Sequence, residues 1–132
     1  MTMTEKEIKN AIEYWRKTAE RDYDTMLGLF KINRYPESLF FGHIVLEKTL
    51  KRLIVKETGE QALFTHDLVK LSRLTKVNLQ KKELELLKII NTFNIRSRYP
   101  EQKLKLYKIC TKKYTKDKLE KITNLYELLC QN

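Results

Sequence analysis

Apolar residues along this chain recur at steps of three and four, the period of one face of an α-helix. In the first segment Ile8, Ala11, Ile12, Trp15, Ala19, Met26, Leu29 and Phe30 keep that step, while Glu13, Lys17, Glu20, Asp24 and Lys31 occupy the other face. Thr4 with Glu7 three residues on has the spacing of a capping box. The spacing predicts one long helix over about residues 4–32. Asn33-Arg34-Tyr35 interrupts the pattern, and Pro36 sits where a first-turn proline is favoured. A second helix is predicted over 36–57, stopping at Gly59, with Phe40, Ile44, Glu47, Leu50 and Ile54 as its inner stripe and His43, Leu46 and Leu53 flanking it. A connection this short makes the first two helices antiparallel.

Thr65 offers a cap for a brief helix over 66–75, built on Leu68, Leu71 and Leu74. A further helix is expected over 79–96, with Leu84, Leu87, Ile90 and Phe93 inward, ending before Pro100. Residues 100–114 alternate Leu104, Leu106 and Ile109 with lysines and read as a strand-like stretch or a frayed turn. Thr115 then caps a last helix to about 130, carrying Leu119, Ile122, Leu125, Tyr126 and Leu129. The expected architecture is all-α, an antiparallel up-down bundle of four to five helices in a single domain spanning 1–132.

Composition narrows this. Three Gly and two Pro in 132 residues, against averages of about 7% and 5%, cannot supply the turns of an all-β sandwich. A hydrophobic content of 42% argues against disorder. There is no apolar run long enough to span a membrane, and the polar start Met1-Thr2-Met3-Thr4-Glu5 lacks the apolar core of a secretion signal. Two cysteines, Cys110 and Cys130, make no disulfide framework. These features lead us to expect a cytoplasmic protein with no membrane contact.

Charge adds a direction. The formal net charge is +10, and Ile95–Lys121 holds ten Lys or Arg against three acids, +7 of that total. Tyr99, Tyr107 and Tyr114 are interleaved there. Lysines and arginines neutralise phosphates and exposed tyrosines stack on bases, so a nucleotide, RNA or an acidic protein suits this stretch. A solvated lysine-rich face is the plainer alternative.

Enzyme signatures are sparse. Gly28, Gly42 and Gly59 are isolated, so there is no phosphate-binding loop. The two histidines lie 23 positions apart, and no cysteine or histidine pair has metal-ligand spacing. No cofactor or metal is expected, and each cysteine is most simply a small core residue. Glu47 stands out because it aims a carboxylate along an apolar stripe, with Lys51 four residues later in the favoured orientation for a helix ion pair. It is either half-buried in that pair or held against a ligand. His66 opens a helix and His43 flanks the core stripe; each packs, caps or contacts a ligand. Gly42 within a helix costs about 1 kcal/mol relative to Ala and suggests a close approach. Together Glu47 and Gly42 mark the second helix as a candidate dimer surface.

Several stretches, in order, resemble the HEPN family (higher eukaryotes and prokaryotes nucleotide-binding domains). They are Tyr14-Trp15-Arg16 with Ala19 and Asp22-Tyr23; Arg34-Tyr35-Pro36-Glu37 leading to Phe40-Phe41 and His43; Glu47-Lys48 with Lys51; Thr65-His66-Asp67-Leu68; and Arg96-Ser97-Arg98-Tyr99-Pro100. The resemblance implies a helical bundle that pairs as a homodimer around a polar cleft. It also implies work beside a small nucleotidyltransferase in toxin–antitoxin or defence systems. Several branches are metal-independent ribonucleases whose motif is Arg, four to six residues, then His. That motif is absent here: no histidine follows His66, Arg34 precedes His43 by nine positions, and Arg52 precedes His66 by fourteen. The resemblance therefore implies a binding protein, non-catalytic, with Arg96, Arg98 and Tyr99 lining a cleft with Glu47, Lys51 and His66. A ribonuclease with an atypical site, and a sequence-nonspecific RNA-binding module, are the alternatives.

Overall fold

The computed structural model describes residues 3–132; Met1 and Thr2, the start of the polar N-terminal stretch, lie outside them. Helix α1 (Glu5–Lys31) begins at the expected capping box: Glu7 N–H donates to Thr4 Oγ1 at 3.2 Å and Thr4 N–H to Glu7 Oε1 at 3.0 Å. A tight reversal through Asn33, at φ +64°, leads to α2 (Tyr35–Thr58), whose first turn contains Pro36. Gly59 ends α2 in the left-handed conformation at φ +68°, the usual glycine C-terminus.

α2 is the centre of the molecule. Leu39, Val45, Leu46, Leu50, Leu53 and Val55 are all buried, pointing in several directions because α1, α3, α4 and α6 pack around it. The single stripe expected from Phe40, Ile44 and Glu47 is therefore incomplete: Phe40 and Ile44 are only partly buried. A helix surrounded by others has no solvent face to set an amphipathic period.

The third helix is α3 (Leu68–Arg73), and α4 (Lys81–Arg96) follows. Asp67, not Thr65, caps α3, accepting from Val69 N–H at 3.0 Å and Lys70 N–H at 3.3 Å. Leu86, Leu87, Ile90 and Phe93 form the inner face of α4.

Residues 100–114 depart furthest from the sequence expectation. They form neither a strand nor a frayed turn: α5 (Pro100–Ile109) is helical, starting on Pro100. Among the described residues no strand lies alongside to satisfy its backbone, and the helix satisfies it internally. Its stripe is unreadable in the sequence because only Leu106 is buried. The last helix, α6 (Lys112–Cys130), starts four residues earlier than expected and is capped by Thr111, whose Oγ1 accepts from Tyr114 N–H at 3.1 Å. Thr115 instead lies buried inside α6, with no hydrogen-bond partner for its hydroxyl among the described residues.

Contacts give the helix directions. Gly42 meets Ile122 and Arg52 reaches Leu129, so α6 runs parallel to α2 and antiparallel to α1. The long helices α1, α2, α4 and α6 form the expected up-down bundle, with α3 and α5 as short connecting helices. Gly42 belongs to this packing. A Cβ there would sit 2.7 Å from Ile122 Cδ1 and 3.4 Å from Met26 Sδ. It is buried at the α2–α6 crossing, so it marks no dimer surface. Lys48 Nζ lies 2.6 Å from Asp22 Oδ2, an ion pair tying α2 to α1, and Tyr23 stacks on Tyr126 at 4.9 Å.

Candidate functional site

Residues four apart on a helix share a face, and α2 places His43, Glu47 and Lys51 in one ladder. Their side chains are 2%, 12% and 7% exposed. Three ionisable groups at this depth need partners, and the partners come from α1 and from the segment leading into α3. Lys51 Nζ donates to Glu47 Oε2 at 3.1 Å and lies over the Trp15 ring, 5.4 Å from its centroid. His66 Nδ1 donates to Glu47 Oε1 at 2.9 Å. The buried carboxylate thus receives one donor on each oxygen.

His43 reaches the same segment differently. Its Nε2 donates to the backbone carbonyl of His66 at 2.8 Å, which fixes the proton on that nitrogen. Burial, only partly offset by Glu47, pushes the His43 pKa below its usual value, so the ring is neutral near pH 7. His66 is half exposed, and with Nδ1 engaged its Nε2 is the nitrogen left for solvent or ligand. Phe64, 93% exposed, leans on the His66 ring at 6.2 Å.

Asp67 and Asn91 fasten this segment to α4. Asn91 Nδ2 donates to Asp67 Oδ1 at 2.9 Å, and Asn91 Oδ1 accepts from Leu68 N–H at 2.9 Å. Partial burial works against the Asp67 carboxylate. The hydrogen bonds from Asn91, Lys70 and Val69 outweigh it and hold the pKa below the ordinary value.

The arginines stand apart. Arg98 lies in the turn just past the end of α4, and one of its terminal nitrogens donates to Asn94 Oδ1 at 3.4 Å. Arg96 is turned roughly 140° from Asn91 about the helix axis and donates through Nε to Gln102 Oε1 at 3.2 Å. With Tyr99 it lines a shallow depression between the end of α4 and the start of α5, whose other walls are Ile95, Pro100, Glu101 and Gln102. The structure therefore brings Glu47, Lys51 and His66 into direct contact and pairs Arg96 with Tyr99 elsewhere. Arg98, in the turn after α4, contacts Asn94.

Sequence reasoning missed Asn91 and the tie through Asp67. Asn91 carries no local signal, since its role exists only once α4 meets α3. The Glu47–Lys51 spacing is readable from the helix period, and the family resemblance groups His66 with that pair, but the place of His43 in the ladder and the approach of Trp15 have no local signal.

No group of His, Cys, Asp and Glu among the described residues is arranged to hold a metal ion. No helix there is long and apolar enough to cross a membrane. The crystal structure of TT1696 from Thermus thermophilus matches this fold with a TM-score of 0.79, covering 92% of this chain and 98% of that one. At 17% identity the likeness shows the bundle architecture alone. No curated protein matches the chain significantly. The family model for the HEPN domain matches residues 12–132, nearly the whole bundle from the first turns of α1 to the end of α6, and the chain belongs to the HEPN domain family.

Proposed function

We propose that this HEPN-family chain works by binding rather than cutting. It is a homodimeric, non-catalytic protein that takes an anionic nucleotide or a partner, acting with a small nucleotidyltransferase in a toxin–antitoxin or defence-type system. The observation carrying this reading is how the histidines are used. His43 donates to the His66 carbonyl and His66 to Glu47, whereas Arg96 and Arg98 engage Gln102 and Asn94. Among the described residues neither imidazole hydrogen-bonds to an arginine. A ribonuclease of the family's kind needs both groups on one phosphodiester: the arginine for charge, the histidine for the proton. Arginine without that histidine still recognises phosphate through its planar fork, and exposed Tyr99 beside it can stack on a base.

Titration calorimetry with ATP and AMP tests the site. Binding to the wild type that is lost in Arg96→Ala/Arg98→Ala supports the assignment; equal affinity in the double variant removes it. One observation favours the ribonuclease reading: a carboxylate orienting a half-exposed imidazole is the arrangement of an acid–base dyad, and Glu47 does this for His66. Cleavage of transfer or messenger RNA that persists in EDTA and vanishes in His66→Ala would establish that alternative and overturn the non-catalytic one.

A further inference from the structure

α5 buries one side chain, Leu106, and turns Leu104 and Tyr107 outward, 64% and 48% exposed. These two lie three residues apart and are therefore neighbours on the helix. Pro100 precedes Leu104 by one turn on the same face, and the strip continues through Tyr99 to Ile95, both 58% exposed. Ile95 and Tyr99 also line the depression at the α4–α5 junction. Around the strip stand the exposed lysines 103, 105 and 108, continued by lysines 112, 113 and 116 at the start of α6. Glu101 is the one acid on α5.

Contiguous exposed apolar groups with a charged rim mark an interaction surface, and the rim selects the occupant. A second copy of the chain would set lysine against lysine, which like-charge repulsion disfavours. A nucleic acid would use the lysines, and its bases would stack on Tyr99 and Tyr107. It would leave Ile95 and Leu104, which offer no π face, unused, and Leu104 is the most exposed of the four. An acidic helix with one apolar face uses both parts: its carboxylates meet the lysines and its leucine-type side chains cover Leu104, Tyr107 and the depression. We propose that the α4–α5 face docks an acidic amphipathic helix of a protein partner. This rests on the partner-binding part of the function proposed above and supplies the surface and the chemistry.

Fluorescence anisotropy decides it. The probe is a labelled peptide with leucines along one helical face and glutamates along the other. Its controls are the same composition shuffled to erase the faces, and a short oligouridylate. The patterned peptide is expected to bind more tightly than either control, and more weakly as salt is added. Leu104→Ser/Tyr107→Ser, both at exposed positions and checked for retained helix by circular dichroism, should lose at least about tenfold, as when interface anchors are truncated. No binding of the patterned peptide, equal binding of the shuffled one, tighter binding of the oligouridylate, or no loss in the variant would each overturn the proposal. Nucleotide calorimetry beside the peptide titration, both on the wild-type protein, keeps the two readings apart. Peptide binding without nucleotide binding sinks the nucleotide site and leaves the docking face; nucleotide binding without peptide binding does the reverse.

Discussion

Replacing Glu47 with Ala removes the acceptor shared by two donors on the polar ladder of α2. Lys51 Nζ, now 3.1 Å from Oε2, would keep its charge at 7% side-chain exposure with only the Trp15 face as company. Breaking a buried ion pair by deleting one partner costs about 3–5 kcal/mol. Glu47 is not fully dry at 12% exposure, so the lower end, about 3 kcal/mol, is expected. For a chain of this size that is roughly a 12 °C fall in Tm. Lys51→Met should cost less, about 1–2 kcal/mol. Glu47 would keep the His66 hydrogen bond, and the methionine stem would still pack beneath Trp15. The double variant Glu47→Ala/Lys51→Met leaves no uncompensated buried charge, so it should be more stable than Glu47→Ala alone. Urea unfolding of the four proteins at pH 7 measures the cycle. Additive effects, or a Glu47→Ala cost below about 1 kcal/mol, would refute the idea that this cluster is a coupled, desolvated unit.

His43 is held neutral by burial, its pKa below the usual 6.5. The unfolded chain therefore takes up a proton first, and stability should fall as pH drops below about 6.5; a urea midpoint that changes identically with pH in His43→Gln would contradict this. Gly42→Ala brings a Cβ to 2.7 Å from Ile122 Cδ1, opposing the gain of about 1 kcal/mol in helix propensity. The substitution should be measurably more favourable in an Ile122→Val background, which lacks that atom, as read by thermal unfolding of the pair. α6 has no basic residue in its last turn, and Arg52 from α2 donates to Leu129 O at 3.1 Å while Lys56 donates to Asn132 O at 3.0 Å. Arg52→Ala should therefore destabilise by about 1–2 kcal/mol, with hydrogen exchange accelerated first in the last turn of α6.

The helical class and most helix ends were legible because they depend on neighbours in the chain. Thr4 with Glu7, Pro36 and Gly59 act on backbone groups a few residues away, and the structure has each in its expected role. The Glu47–Lys51 ion pair, which follows from helix period alone, is formed as well. The polar ladder's partners were another matter. Trp15 reaches Lys51 from α1, and His66 reaches Glu47 across the segment entering α3. Asn91 ties that segment to α4. None of these pairings has a local period or spacing to betray it.

The errors have the same origin. α2 shows one stripe on paper and is buried on several sides because the other helices pack around it. Gly42 has the look of a surface for a second chain and instead admits Ile122. α5 is unreadable as a helix because its outward face keeps Leu104 and Tyr107, so apolar residues there do not report the core. Chemistry local to the chain dictates where the backbone starts and stops its hydrogen-bonded turns. Which side chains meet follows from packing alone, because burial and charge pairing are set by neighbours that are distant in the chain and close only once the helices have docked.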